Sequence, residues 1–238
     1  MAVSHGSNTD VVGNGYILSQ FLNTASLSGK RDIAETTTFK KTSKTFIPGL
    51  KDSTMALAGV WDGAVGAIDE IFYAALNAGK GLFSYIPQGY EVVGRTAWTM
   101  DAISIKHDVN TAIGGVAQIS ADFASASVAA DSSTTRGMVG HPMNMEAALG
   151  NSANLDNTVI STTNGGCLVV HAMDVSASLI VFLQDSADGT TFADLAGSVV
   201  VPSNVRTSVR LPITGTIRRY TRIRWTGTGQ FLALTERY

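Results

Sequence analysis

The chain has 238 residues and a formal net charge of -2, with only 15% of its residues charged and 45% hydrophobic. That length is enough for two domains with real cores, and the slight negative balance argues against a general nucleic-acid binder. A charged share well below the usual quarter leaves a surface of Ser, Thr, Gly and small apolar groups, the kind that copies of the same protein often cover.

Every Lys lies before Asp108, and six Arg fall between Arg206 and Arg224. This change of usage predicts two segments with different surfaces. The single cysteine, Cys167, cannot make an internal disulfide. It stands in a Gly-Gly-Cys-Leu-Val-Val run and reads as a small buried residue, with a reactive thiol as the alternative. The N-terminus has no charged region followed by an apolar stretch, and no apolar run has the length of a membrane span. Synthesis and folding in a reducing cytosol, without a membrane, are expected.

In chain order, Gly13 to Leu22 predicts a strand and a turn, and Ala25 to Lys30 a second short strand. Arg31 to Lys44 is Thr-rich and has neither helical nor strand period. It predicts a long exposed loop, closed by the apolar Phe46, Ile47 and Leu50 around a Pro48-Gly49 turn. Apolar residues beside a polar loop suit an arm that lies on a neighbour.

From Met55 to Trp61 the residues alternate between a bulky and a smaller face, which predicts a core strand. Ile68, Ile71, Phe72, Ala75 and Leu76 then fall at i, i+3, i+4, i+7 and i+8, one face of a helix. Asp69 and Glu70 suit its early turns, and Gly79 a left-handed stop. Leu82 to Ile86 predicts a strand. Val92 to Asp108 predicts a long one, whose phase changes near Asp101-Ala102, as a bulge or bend would require. Val116 to Ala126 alternates cleanly and predicts the partner of a hairpin.

Ser127 to Asn157 has little periodicity and predicts a linker. Beyond it come strands only: Gly166 to Val175, Leu179 to Gln184, Phe192 to Leu195, Val199 to Val201, Val205 to Leu211, Arg219 to Trp225 and Phe231 to Thr235. Asp188-Gly189 and Gly227 to Gly229 mark hairpins. This spacing describes a β-sandwich. Arg218, Tyr220, Arg222 and Arg224 share one parity and make a basic face.

Chemical motifs are missing or weak. Nucleophile-elbow, phosphate-loop and dinucleotide-binding glycine patterns are absent. His5, His107, His141 and His171 stand far apart, without metal-ligand spacing. A Ser-His-Asp set has no local support. Asp185 to Thr190 faintly resembles a calcium loop but lacks the further carboxylates, so a hairpin turn is the better reading. The arginine face could meet phosphates, but a face that is solvated or paired with carboxylates on an adjoining strand is favoured. Trp61, Trp98 and Trp225 read as core or interface residues. No catalytic, cofactor-binding or metal-binding residue is assigned, and no enzyme activity or cofactor is expected.

The polar Thr-rich loop with Glu35-Thr-Thr-Thr-Phe39, then Phe46-Ile-Pro-Gly-Leu-Lys-Asp52, a strand ending Val60-Trp-Asp-Gly63 and a short amphipathic helix resemble the major tail (tail tube) proteins of long-tailed bacteriophages. Val11-Val-Gly-Asn-Gly-Tyr-Ile-Leu-Ser19 fits as well, and the match covers about residues 1 to 128. Gln184 to Leu195 and Ile217 to Trp225 resemble C-terminal parts of such proteins, less specifically.

The resemblance implies a mainly β protein. It would have an N-terminal β-sandwich or barrel with one packed helix (1–128), a long inter-subunit loop (31–50), a linker (129–157) and an outer C-terminal β-sandwich (158–238). It implies hexameric rings joined edge to edge and stacked into a tube, with genomic DNA passing through the lumen without specific binding. Further partners would be other tail proteins, such as tape measure and terminator. The location would be the virion tail, after assembly in the bacterial cytoplasm. No catalytic residue transfers from this family. Phe39, Lys44, Phe46, Ile47, Pro48 and Leu50 are the candidate subunit-interface residues. The rival readings are a capsid or tail decoration protein and a glycan-binding module using Trp225 and Tyr238.

Overall fold

The computed structural model describes residues 6–39, 41–126, 134–159 and 161–238. His5, Lys40 and the first part of the expected linker, 129–133, lie outside them. The described chain is mainly β, as expected, and carries one α-helix. The first strands are β1 (Asp10–Gly13), β2 (Tyr16–Ile17), β3 (Leu22–Glu35) and β4 (Phe46–Val60). The helix α1 (Ile68–Asn77) follows, then β5 (Gly81–Ile86), β6 (Thr96–Asn110), β7 (Gln118–Ser125) and β8 (Thr135–Glu146). The short β9 (Gly150–Asn151) and β10 (Leu155–Asp156) precede β11 (Gly166–Val175), β12 (Leu179–Ser186) and β13 (Ala193–Asp194). Last come β14 (Val199–Val201), β15 (Thr207–Ile213), β16 (Tyr220–Thr226) and β17 (Gly229–Arg237).

The chain forms two compact units, and they interleave in sequence. One holds residues 1–20, 82–99 and 135–238; the other holds 21–81 and 100–134. These differ from a division at 128 and 157. The expected linker 129–157 contains β8, β9 and β10. β8 pairs antiparallel with β17, Met138 opposite Thr235, and with the start of β6, Thr96 opposite Met138. Its Gly-rich sequence has weak local alternation, so what fixes it as a strand is pairing to residues far away in the chain.

In the first unit, β15, β11, β17 and β8 lie side by side, followed by Thr96–Thr99 of β6, then β5, β1 and β2. A second sheet runs β10, β16, β12, β13, with β14 also on β12 and β9 also on β16. The apolar run of β11 is buried on both faces, which is why it lacks alternation. Leu168, Val170 and Ala172 face a core shared with Leu179, Val181, Ile223, Trp225 and Phe231. Cys167, Val169 and Met173 join a second core with Val12, Ile86, Val139 and Leu234. That second core brings together strands from opposite ends of one sheet, so the sheet curls. The β1–β2 turn meets β15, where the Gly15 N–H donates to Ser208 Oγ at 2.9 Å. Gly15 has φ +79, and a Cβ there would stand 2.7 Å from the Thr207 nitrogen. A close approach and a left-handed backbone both require glycine.

The C-terminal strands form the expected sandwich, with one correction. The turn at Gly227 does not close a hairpin, because β16 pairs with β12 and β17 with β11. The turn instead carries the chain from one sheet to the other.

In the second unit, β3, β4, β7 and Met100–Asn110 of β6 form a sheet in that order. Met55 and Leu57 are buried and Ala56 exposed, as the alternation requires. β6 changes burial phase at Thr99 and Met100, both buried, close to the expected bend. Ile68, Ile71, Phe72 and Ala75 pack α1 down, and Phe72 meets Phe123 edge to face with ring centroids 5.9 Å apart. Two details depart from expectation. Leu76 is 40% exposed, at the margin of the buried stripe. Gly79 is not left-handed. The helix stops at Ala78, which is extended and donates its N–H to the Ala74 carbonyl.

Candidate assembly interface

The segment 31–50 is the outer half of a long β-hairpin: residues 31–35 and 46–50 are strand, and the described residues between them, 36–39 and 41–45, form the exposed connection. β3 and β4 pair from Leu22↔Gly59 to Glu35↔Phe46, so the expected short strand Ala25–Lys30 is only the middle of β3. The threonines themselves, Thr36 to Thr38 and Thr42, lie in the connection between the strands, whereas Arg31–Glu35 is strand because it pairs with Phe46–Lys51 and not because of any alternation of its own. Pro48 and Gly49 do not turn the chain. Pro48 sits opposite Ile33, beside a register shift between Arg31 and Ile33. Proline, which has no N–H to donate, belongs at such an irregularity.

The inner half of the hairpin is part of the sheet, since Thr54–Val60 of β4 pair with Gln118–Ala124 of β7. Phe46–Asp52 has no second strand neighbour among the described residues. At ~3.3 Å per residue this leaves a two-stranded ribbon of roughly 20 Å. Residues 28–39 and 46–51 of the described chain are all exposed.

Sheet alternation and register place the side chains. Ile33, Phe46 and Pro48 share one face of the ribbon, and Ala34 and Ile47 the other. Phe46 is 48%, Ile47 57% and Leu50 82% exposed. Phe39, in the turn, is fully exposed. Burying an aliphatic or aromatic side chain of this size is worth about 1.5–3 kcal/mol. The ribbon therefore holds a large unrealised burial energy, and by itself a two-stranded hairpin is marginal.

Local polar contacts set its shape. Lys44 Nζ lies 3.0 Å from Glu35 Oε2 across the ribbon end, an exposed pair worth under about 1 kcal/mol. The Thr36 N–H donates to the Thr45 carbonyl and the Thr45 N–H to Thr37 Oγ1. Lys30 Nζ is 3.3 Å from Asp52 Oδ2, and its hydrogen bond holds that carboxyl below the usual range. Of the six candidate residues, Lys44 is thus engaged in shaping the turn. Phe39, Phe46, Ile47, Pro48 and Leu50 are gathered on one projection.

The other candidates resolve differently. Three of the four histidines are described, and each has its own partners. His107 Nε2 is 3.1 Å from Asp69 Oδ1, and His141 Nε2 3.2 Å from Glu146 Oε1. His171 is wholly buried, 2.8 Å from Ser84 Oγ and 2.6 Å from Ser208 Oγ. Burial, with the charge of Arg210 adding to it, holds the His171 imidazole down at about 3. It is a satisfied core group in a serine cradle with no carboxylate on either ring nitrogen, a contact between β5, β11 and β15 that sequence spacing could not reveal. Cys167 is buried and donates to Glu236 Oε2 at 2.6 Å; burial and that negative charge push the thiol well above its usual range.

The basic face is engaged within its own sheet, two of its three arginines with carboxylates, in line with the favoured solvated-or-paired reading. Arg224 forks onto Asp194 and lies over the Phe182 ring, Arg218 lies 4.0 Å from Asp185, and Arg222 donates to Gln184 Oε1; on the opposite parity Arg219 forks onto Asp156. Asp188 caps its own turn, accepting the Thr190 and Thr191 N–H groups at 2.9 Å each, and these bonds lower its carboxyl. Among the described residues, no cluster of His, Cys, Asp or Glu is arranged to hold a metal ion. Trp225 is buried between His141 and Phe231, so it offers no platform to a glycan. Among the described residues, no helix is long and apolar enough to cross a membrane.

No family model and no curated protein matches the chain. Among solved structures it is similar to a chain of the virion of a native gene transfer agent particle. That match has 14% identity and a TM-score of 0.45, over 53% of this chain and 96% of the other. A chain from the tail of an empty gene transfer agent particle, refined helically with C6 symmetry, is similar at 14% identity and TM-score 0.39, over 47% and 82%. The SPP1 Dit protein, described as a paradigm of the hub adsorption apparatus in phages infecting Gram-positive bacteria, is similar at 9% identity and TM-score 0.38, over 97% and 99%.

Proposed function

We propose that this protein is a structural subunit of a phage tail that polymerises with itself. Its β3–β4 hairpin is the arm by which one copy holds the next. In the specific form of the proposal, copies close into six-fold rings and the rings stack into a tube for DNA. The observation that carries it is the distal ribbon: a two-stranded projection that exposes Phe46 and Ile47 on opposite faces and Leu50 beside the register shift. A monomer gains nothing from such a projection and risks aggregation. A polymer uses it as a joint.

Two further features support the reading. β3 has a strand partner on one side only among the described residues, so its other edge is open to a neighbouring copy. The resemblance of residues 1–128 to tail tube proteins points the same way. A net charge of -2 suits a conduit, because each phosphate contact would add affinity and slow the passage of DNA.

Negative-stain microscopy of the purified protein tests the proposal. Hollow tubes or six-fold rings are expected. Protein that stays monomeric at high concentration, even when seeded with tails, contradicts it.

A further inference from the structure

The charge of the second compact unit is divided unevenly. Residues 30–52, the hairpin, carry six basic and three acidic side chains. The remainder of that unit, 21–29, 53–81 and 100–134, carries two basic and seven acidic. One part of the unit is therefore complementary to another part of the same unit. Within one chain the two are not paired: neither Lys41 nor Lys51 on the hairpin, nor Asp62 nor Glu70 beside the helix, has an ion-pair partner among the described residues.

The acidic part also has an apolar face. On α1, Glu70 and Tyr73 lie at i and i+3 on the side away from the buried Ile68–Phe72–Ala75 stripe, and Leu76 lies at its margin. Tyr73 is 60% and Leu76 40% exposed. Val65, in the approach to the helix, is fully exposed, and Trp61 is 39% exposed. One edge of the Tyr73 ring meets His107, with centroids 6.2 Å apart, and the rest of the ring is left open to solvent. Asp62 and Glu70 are held in place: Asp62 Oδ1 accepts the Ala64 N–H at 2.9 Å, and Glu70 Oε2 accepts the Gly66 N–H at 2.6 Å. The carboxylates stand at fixed points beside the exposed apolar groups.

From these observations we infer that the outer face of α1, with the turn leading into it, is the surface on which the hairpin of a second copy seats. This rests on the hairpin being the inter-subunit arm, and adds where it lands. Phe46, Ile47 and Leu50 of one copy cover Val65, Tyr73 and Leu76 of the other, while Lys41 and Lys51 approach Asp62 and Glu70. The contact is heterologous, donor on one side and acceptor on the other. It therefore propagates from copy to copy, whereas a two-fold contact would end in a dimer. The charges steer and set register, and the apolar groups supply most of the affinity.

Charge reversal in pairs tests it. Lys41→Glu with Lys51→Glu reverses the hairpin, and Asp62→Lys with Glu70→Lys reverses the acceptor. Each pair alone should slow polymerisation, followed by light scattering, by at least tenfold. The four changes in one chain should restore it to within a few-fold of the parent. A four-fold variant no better than the worse pair overturns the inference. A disulfide readout guards against misfolded variants: Leu50→Cys with Tyr73→Cys, oxidised in the polymer, should give ladders of cross-linked chains. Polymer without cross-links overturns the acceptor assignment. Deletion of the hairpin distinguishes the two levels. If deletion stops assembly while the cross-link and the charge exchange both fail, the arm stands and its landing site is elsewhere. If deletion leaves assembly intact, the arm itself is refuted and the inference with it.

Discussion

Ile33 lies directly across the hairpin from Pro48, and both share a face with Phe46. No second sheet, helix or loop of the described chain buries that face. Phe46→Ser with Ile47→Ser and Leu50→Ser should therefore leave the folded monomer almost unchanged, within about 0.5 kcal/mol per site, since exposed positions contribute little. Assembly should be lost. Thermal melts paired with sedimentation velocity separate the two effects, and a large drop in melting temperature would show that the ribbon matters to its own fold.

Helix packing makes the opposite demand. Phe72 is wholly buried against Phe123, so Phe72→Ala should cost about 3–5 kcal/mol. Urea denaturation of the purified variant checks this. A cost below 1 kcal/mol would mean that α1 is not held by this contact.

His171 ties stability to pH. Its folded-state pKa of about 3 lies below the value near 6.5 expected when unfolded. Above pH 6.5 neither state binds the proton. Below it the unfolded state does and the folded state does not, so stability falls as pH drops, down to about pH 3. The slope is about 1.4 kcal/mol per pH unit, giving a loss of about 2 kcal/mol at pH 5. Denaturation at pH 7.5 and pH 5, on the parent and on His171→Gln, isolates this contribution. If both lose the same amount, His171 is not its source.

Cys167 should resist alkylation. Its thiol is buried, held by Glu236 and shifted upward, so the thiolate that reacts is scarce. Iodoacetamide at pH 8 is expected to leave the native protein unlabelled over an hour and to label it fully in urea. Rapid native labelling would place the thiol at the surface.

Gly227 links the two sheets of the first unit with φ +100, and a Cβ there would fall 2.0 Å from the Ser178 carbonyl oxygen. Gly227→Ala should destabilise by more than about 1 kcal/mol. Equal midpoints in urea for variant and parent would contradict this.

Much of this was legible in the sequence where burial is one-sided. Met55 and Leu57 alternate because one face of β4 is core, and Ile68 to Ala75 keep the helical period because α1 buries one stripe. The strands from Gly166 onward emerge for the same reason. Legibility fails where a strand's partners, not its own pattern, decide its state. The outer β3–β4 ribbon buries neither face, so nothing forces alternation, and Pro48-Gly49 looks like a turn although it lies within a strand. β8 is recognised only once Met138 is seen opposite Thr235. The apolar candidates Phe39, Phe46, Ile47 and Leu50 were nevertheless visible, because large apolar residues in a polar stretch stand out whatever the backbone does. The serine cradle of His171 left no signal, since Ser84 and Ser208 are 124 positions apart and ordinary in composition.

The central claim is that the projecting hairpin joins one copy to the next. Removal of Thr36 to Lys44, the turn and its flanks, tests it most directly, with tube or ring formation scored by electron microscopy beside the full-length chain. The truncated protein is expected to keep its melting temperature within a few degrees and to form no tubes. Tubes of normal length from the truncated protein would contradict the account.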